Sequence, residues 1–303
     1  MGRLDGAVAI VTGAGHGLGR AHALYLAKEG ARVVVNDLGG DVHGIGRSLT
    51  PAQNVVEEIR AAGGEAIVNG ADVSDWTQAE ALIEQTLDEF GDLNVLVNNA
   101  GILRDRSLAN MTEDEWDAVI RVHLKGHAAP TKHAIAYWRQ RAKGRGDRPG
   151  YASVIHTSSV AGFAGNYGQA NYASAKLAVC ALSQVVMLEG ERYGVRSNVV
   201  SPGARTRLSL TTPGSEERYR APEDPTAFDP LSPANVSPLV AWLAAPNCPA
   251  TGQMFHCDSN RVLVTSLPRV QELRQTDGQW TLAALDEALS NALQPGSNQT
   301  DWY

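Results

Sequence analysis

Tyr172 and Lys176 lie four residues apart in the run Gln169-Ala170-Asn171-Tyr172-Ala173-Ser174-Ala175-Lys176, and Ser159 stands thirteen residues before the tyrosine. On a helix that spacing puts the phenol and the ammonium on one face. A cation beside a tyrosine favours phenolate and lowers its pKa from the free value of ~10. A weak acid thereby becomes a general base usable near neutral pH. Taken alone, Tyr-x-x-x-Lys also describes a solvated helix face, and the rest of the chain must decide between the two.

The first forty residues supply a second chemistry. Residues 7–12 (AVAIVT) are apolar and rich in β-branched side chains, the pattern of a buried strand. Gly13-Ala14-Gly15-His16-Gly17-Leu18-Gly19 follows, and then a helical pattern. Glycines let the backbone turn sharply and approach a pyrophosphate, which the free N–H groups of a helix N-terminus then hold. A second strand, 31–36, ends at Asp37. An acidic side chain about 20 residues after such a loop accepts hydrogen bonds from the ribose 2′-hydroxyl of NAD. Asp37 would repel a 2′-phosphate, so the pattern favours NAD, with Arg47 the one residue that complicates the choice.

The glycine spacing Thr12-Gly13-x-x-x-Gly17-x-Gly19, then Asp72-Val73, Asn98-Asn99-Ala100-Gly101, Ser159, Tyr172, Lys176 and Pro202-Gly203, in that order, resembles the classical short-chain dehydrogenase/reductase family over residues 3–258. The resemblance implies a Rossmann-type α/β fold, a doubly wound parallel sheet in a single domain. It implies NAD contacts from Gly13, His16, Gly17, Leu18, Gly19, Asp37, Asp72, Val73, Asn99, Ala100, Gly101, Tyr172, Lys176, Pro202 and Gly203. It further implies that Ser159 binds the substrate oxygen, that Tyr172 is the base and that Lys176 holds the nicotinamide ribose. The family offset selects Ser159 over Ser158, and adjacent strand-end residues point to opposite sides. Many members carry Asn at the position of His123, where it anchors a relay water. A histidine can donate and accept there, or it can be a core histidine bonded to a backbone carbonyl.

Composition bounds the rest. The chain has 303 residues and a net charge of −7, which disfavours a nucleic-acid partner. It shows no basic-then-apolar leader and no 18-residue apolar run, so the reading is a soluble, cytoplasmic protein without a membrane partner. Cys180, Cys248 and Cys257 are odd in number and lack metal-ligand spacing, which reads as core thiols and no metal.

Strands are expected at 65–70, 93–98, 152–157, 195–201 and 253–258, and helices at 51–62, 76–90, 113–139, 167–192 and 235–245. The dehydrogenase domain is expected over 1–264, with a Pro-dotted substrate lid at 204–235 and a C-terminal extension over 265–303 that contains an amphipathic helix at 282–293. Residues 38–49 form an extra loop after the second strand. Residues 141–150 read as a basic loop, either a solvated turn or a site for an anionic carrier such as coenzyme A.

Three stretches narrow the resemblance: 35–41, 121–126 with its His123, and 165–172. They look like the (3R)-hydroxyacyl-CoA dehydrogenase domain of multifunctional β-oxidation enzymes, the branch also called 17β-hydroxysteroid dehydrogenase type 4. This implies NAD-dependent oxidation of a 3-hydroxyacyl-CoA in a homodimer or homotetramer. The last residues, Asp301-Trp302-Tyr303, are no peroxisomal address. Asp258-Ser259-Asn260-Arg261 departs from the family's usual Asp-Gly-Gly ending. A hydroxysteroid or other secondary alcohol on the same scaffold stays open, as does a non-catalytic nucleotide sensor.

Overall fold

Short β-branched runs alternate with helices along the chain, and the strands assemble in the order β3-β2-β1-β4-β5-β6-β7-β8. These are β1 (Val8–Thr12), β2 (Arg32–Asn36), β3 (Ala66–Asn69), β4 (Val95–Asn98), β5 (Ala152–Thr157), β6 (Val195–Gly203), β7 (Met254–Asp258) and β8 (Arg261–Thr265). All pairs are parallel except β7–β8. The order reverses between β1 and β4, the switch point at which open α/β sheets bind their ligands beyond the strand C-termini. The computed structural model describes residues 2–145, 150–211, 217, 219–265, 282, 285, 288 and 289. The chain divides into two compact units, Met1–Thr265 and Ser266–Tyr303. Most of the helix expected at 282–293 lies outside the described residues.

Strand alternation divides the core in two. Ala9 and Val11 of β1 face α1 (Gly17–Lys28), α2 (Thr50–Ala61) and the helix Ser237–Ala244, where they meet Leu26, Ile59 and Leu243. Ile10 faces the opposite layer with Leu82 of α3 (Trp76–Phe90) and Trp138 of α5 (Gly126–Arg145). Each of these Val, Leu and Ile side chains, fully buried, contributes ~1.5–3 kcal/mol. Trp138 also donates its indole N–H to the Leu93 carbonyl at 2.7 Å.

Three elements differ from the sequence expectation. The helix expected over 113–139 is α4 (Glu113–Ile120), then a π-helical turn (Arg121–Lys125), then α5, which runs on to Arg145. Arg141 therefore belongs to a helix rather than a basic loop. It is buried, pairs with Asp92 at 2.8 Å and donates to the carbonyls of Leu93 and Tyr151, so it serves the core and not an anionic carrier. Residues 146–149 lie outside the described residues. Second, α7 begins at Ala170 rather than at 167, after the short helix α6 (Val160–Ala164), because Gly168 takes a φ of +77° that ends the preceding turn; it closes at Gly190. With the turn that follows it, this helix is long and apolar enough to cross a membrane by length and composition, and 39% of the window concerned is buried. Third, β8 was not expected. Ser259 adopts φ 49° at the tight turn that joins it to β7, and Asp258 pairs with Arg261 across that turn. Two turn residues, Ser259 and Asn260, followed by the β-branched run 261–265 are a hairpin signal that the sequence carried.

Candidate active site

The glycine loop leaves β1 at the switch point. Thr12 ties it to the end of β4: its hydroxyl accepts from the backbone N–H groups of Asn99 and Ala100 at 2.9 and 3.1 Å. The Asn99 amide donates to the carbonyls of Thr12 and Gly13. Gly13 has φ +63°, and a Cβ there would lie 2.8 Å from Ala100 Cα; one on Gly19 would lie 2.2 Å from the Gly13 carbonyl oxygen. The loop is thus glycine because it is pressed against β4 and against itself. α1 starts at Gly17 with His16 as N-cap, and that end has neither a side-chain cap nor an acid in its first turn. Its N–H groups and dipole remain available for an anion. Partial burial and Arg207 hold the His16 pKa below its ordinary value, against the opposing pull of Asp37.

Asp37 binds the same loop. Its two oxygens accept from the N–H groups of Gly15 and Gly39, each at 2.7 Å. Asp72 is held by Ser74, and Val73 is buried beside it. Leu18 packs partly buried against the core, and Arg47 is exposed. Pro202 and Gly203 close β6, one pair further than expected, and Gly203 presses on Asp258. Beyond them Thr206 lies against Gly17.

Ser159, Tyr172 and Lys176 come together at the C-terminal ends of β5 and β6. Ser159 caps α6 through the Ala161 N–H and lies near enough to Tyr172 to act on its phenol. Ser158 points the other way and donates to the Lys176 carbonyl at 2.7 Å. Lys176 is buried, its Nζ 5.6 Å from the Tyr172 ring centroid and donating to the Thr157 carbonyl at 2.6 Å. His123 is buried in the π-helical turn and meets the Tyr172 ring edge-on at 5.0 Å. Its Nε2 is bonded to the Ile102 backbone, 2.8 Å from the carbonyl oxygen and 3.1 Å from the nitrogen. Burial and the Lys176 charge hold its pKa well below the ordinary value.

The electrostatics overturn one expectation. In this site the Tyr172 phenol is not depressed: burial pushes it up to about 12, opposed by the nearby Ser159 hydroxyl and aided by Asp105 and Tyr219. Burial likewise pushes Lys176 down to about 7. The spacing showed that a cation would be near; it could not show that both groups would be stripped of water, which disfavours each charged form.

Several site residues had no signal in the motif. Asn171 is fully buried and donates to the carbonyls of Arg104 and Glu115, while its oxygen receives the Tyr172 N–H, which fixes the first turn of α7. Asp105 accepts from Gln169 at 2.7 Å and is pushed up by burial. Tyr219, which belongs to the segment 204–235, comes near enough to act on Tyr172, and Arg205 braces that segment through Asp229 and the Tyr219 carbonyl. A separate groove of about 460 Å³ between α3 and α5 shares no lining residue with this site.

A family model described as short chain dehydrogenase matches residues 7–213. The chain belongs to this family. It is 42% identical over 253 residues to the peroxisomal multifunctional enzyme type 2 of Mus musculus, covering 84% of the chain but 32% of that enzyme's length. It is also 42% identical over 280 residues to hydroxyacyl-CoA dehydrogenase ChsB1 of Mycobacterium tuberculosis, covering 91% of the chain and 84% of the relative. A crystal structure of a short chain dehydrogenase from Mycobacterium avium superposes with a TM-score of 0.82 at 44% identity over 96% of this chain and 95% of that one. The protein is therefore a short-chain dehydrogenase, an oxidoreductase of a family that uses NAD or NADP. The uncapped N-terminus of α1, the glycine loop pressed onto β4 and the Asp37 carboxylate fit such a dinucleotide.

Proposed function

We propose that this dehydrogenase oxidises a (3R)-hydroxyacyl-CoA to the 3-oxoacyl-CoA, with NAD as the hydride acceptor. The observation that carries the reading is Lys176 fixed beside the Tyr172 phenol ring, with the Ser159 hydroxyl close enough to act on the phenol. Bound at the glycine loop, the dinucleotide supplies the two-electron acceptor. Ser159 holds the substrate oxygen, and Tyr172 takes the hydroxyl proton. Lys176 orients the cofactor ribose and favours the phenolate. Asp37 supports NAD over NADP, since a 2′-phosphate would meet a carboxylate already placed at the loop by two backbone N–H groups.

The acyl-CoA class rests on the names of the relatives and on the residues shared with the multifunctional-enzyme branch. A thioester of this kind offers a large anionic handle whose binding energy can position the reacting carbon. A panel of (3R)- and (3S)-hydroxyacyl-CoA, the free hydroxy acid and a 17β-hydroxysteroid, each with NAD and NADP, tests the reading. The (3R) thioester with NAD should give the highest kcat/KM. A steroid preferred by tenfold, ~1.4 kcal/mol in the barrier, would replace the acyl-CoA with a steroid. The reading includes a homodimer or homotetramer. Leu177, Val185 and Leu188 stand exposed along α7, an apolar stripe suited to a two-fold interface.

A further inference from the structure

The segment that follows β6 brings two arginines to the site and engages only one of them. Arg205 pairs with Asp229 and donates to the Tyr219 carbonyl at 3.3 Å. Arg207 is exposed and, among the described residues, makes no ion pair and no side-chain hydrogen bond. Its neighbours set its place. The Thr206 and Ser209 N–H groups donate to each other's hydroxyls at 2.7 and 3.2 Å, and the Leu210 N–H returns to the Thr206 carbonyl at 3.2 Å. A Cβ on Gly17, the first residue of α1, would lie 3.5 Å from Thr206 Cγ2. Consecutive Cα atoms are ~3.8 Å apart, so Arg207 leaves the backbone one residue from this contact with the start of α1.

That end of the helix is already positive. Its first N–H groups have no side-chain cap and no acid beside them, and Arg20, which pairs with Glu58, stands one turn in. Burial and the Arg207 charge together hold His16, the N-cap, below the ordinary imidazole pKa. Asp37 is the carboxylate close by, and its oxygens are engaged by the Gly15 and Gly39 N–H groups. A cation beside a helix N-terminus is unfavourable by itself. Arg207 is nevertheless carried there by the turn that Thr206 and Ser209 lock. An anionic ligand would reverse the sign of that arrangement. A diphosphate suits it, because a guanidinium grips phosphate oxygens through two parallel N–H bonds while the helix N–H groups take others.

We propose that Arg207 binds the diphosphate of the dinucleotide from the segment after β6, while α1 binds it from the glycine loop, and that the cofactor thereby fixes the turn 206–211. The proposal rests on the dinucleotide reading of the glycine loop and not on any particular alcohol. Coenzyme A carries a diphosphate too; Arg207 is assigned to the dinucleotide because its neighbour Thr206 lies against Gly17 of the glycine loop. The reciprocal Thr206–Ser209 bonds make the turn one unit, so a grip on Arg207 holds all of it.

The test measures binding rather than turnover. Wild type, Arg207→Leu and Arg207→Lys are titrated calorimetrically with ADP-ribose, which has the diphosphate without the nicotinamide, and with free coenzyme A. The Arg207 side chain is exposed and unbonded, so both variants should keep the wild-type unfolding midpoint. Loss of a charge-assisted hydrogen bond should weaken ADP-ribose at least ~10-fold in Arg207→Leu. Arg207→Lys keeps the charge without the fork and should lose less. Coenzyme A affinity should not change. With ADP-ribose saturating, amide exchange over 206–211 should slow in wild type but not in Arg207→Leu, while exchange over 13–19 slows in both. Equal ADP-ribose affinity in wild type and Arg207→Leu overturns the proposal, and so does a fall confined to coenzyme A or equal slowing over 206–211 in the two proteins. A wild-type protein that binds no ADP-ribose would sink the dinucleotide reading as well.

Discussion

The dinucleotide side and the catalytic side of this sheet treat their polar groups in opposite ways. Around β1 and β2 every functional group that the loop needs is anchored to backbone: Asp37 by two N–H groups, Thr12 by two more, and Asn99 by two carbonyls. The buried histidine on this side, His22, bonds Ser237 at 2.9 Å. Around β5 and α7, Lys176 is buried beside three neutral histidines, and several polar atoms have no protein partner. A binding site can be saturated and rigid. A proton-transfer site needs groups whose charged forms are raised in energy, and burial supplies that.

The largest effect should come from the tyrosine. Tyr172→Phe should keep the fold and dinucleotide binding yet lower kcat at least ~10²-fold, the scale for loss of a general base; near wild-type turnover at saturating substrate would remove Tyr172 from the chemistry. The pH dependence should follow its raised pKa. Oxidation should accelerate with pH as the phenol deprotonates, and Lys176→Met should push that rise to higher pH, read from kcat profiles of the two proteins.

Arg141→Ala separates structure from function on the layer between the two halves. It removes the ion pair of Asp92, which keeps its bond from Tyr137, and takes the guanidinium donors from the Leu93 and Tyr151 carbonyls, and should cost ~2–4 kcal/mol of stability. Denaturant unfolding would read that loss, while KM for the acyl-CoA should stay unchanged. A stable variant with weakened acyl-CoA binding would restore the anion-site reading.

On the dinucleotide side the effects should be smaller. Asp37→Ser should narrow the NAD preference in kcat/KM by about tenfold, ~1.4 kcal/mol, and also raise KM for NAD, because Gly15 and Gly39 lose their acceptor. If wild type already uses NADP equally well, Arg47 becomes the residue to change. His22 tests the satisfied histidine. Burial lowers it from 6.5 to about 3, so between those values the unfolded chain holds a proton that the folded one does not. Stability therefore falls as pH drops through that window and is unaffected above it. His22→Asn, which can keep the Ser237 bond, should flatten the slope by up to ~1.4 kcal/mol per pH unit, measured by urea unfolding at a series of acid pH values.

The two sides also differed in how far they could be read from residues. Strand runs such as 152–157 and the glycine spacing are local patterns, and β5 and the loop after β1 lie where those patterns put them. Asp37 follows the same logic, because a fixed strand length carries it to the loop. Nothing local marks the π-helical turn at His123, which forms where the ring reaches the Ile102 backbone 21 residues away. His127 and His156 are 29 residues apart, on a helix and a strand, and only the tertiary fold joins them. Tyr172 and Lys176 show the boundary within one motif: their proximity was written in the spacing, and the sign of their pKa shifts was set by burial that the spacing does not contain.

The central claim is the reaction, and the stereochemical comparison tests it most directly. With NAD, kcat/KM should be higher for a (3R)-hydroxyacyl-CoA than for its (3S) isomer and for the free hydroxy acid, by about tenfold or more. Equal rates on both isomers, or a 17β-hydroxysteroid turned over tenfold better than the (3R) thioester, would contradict it.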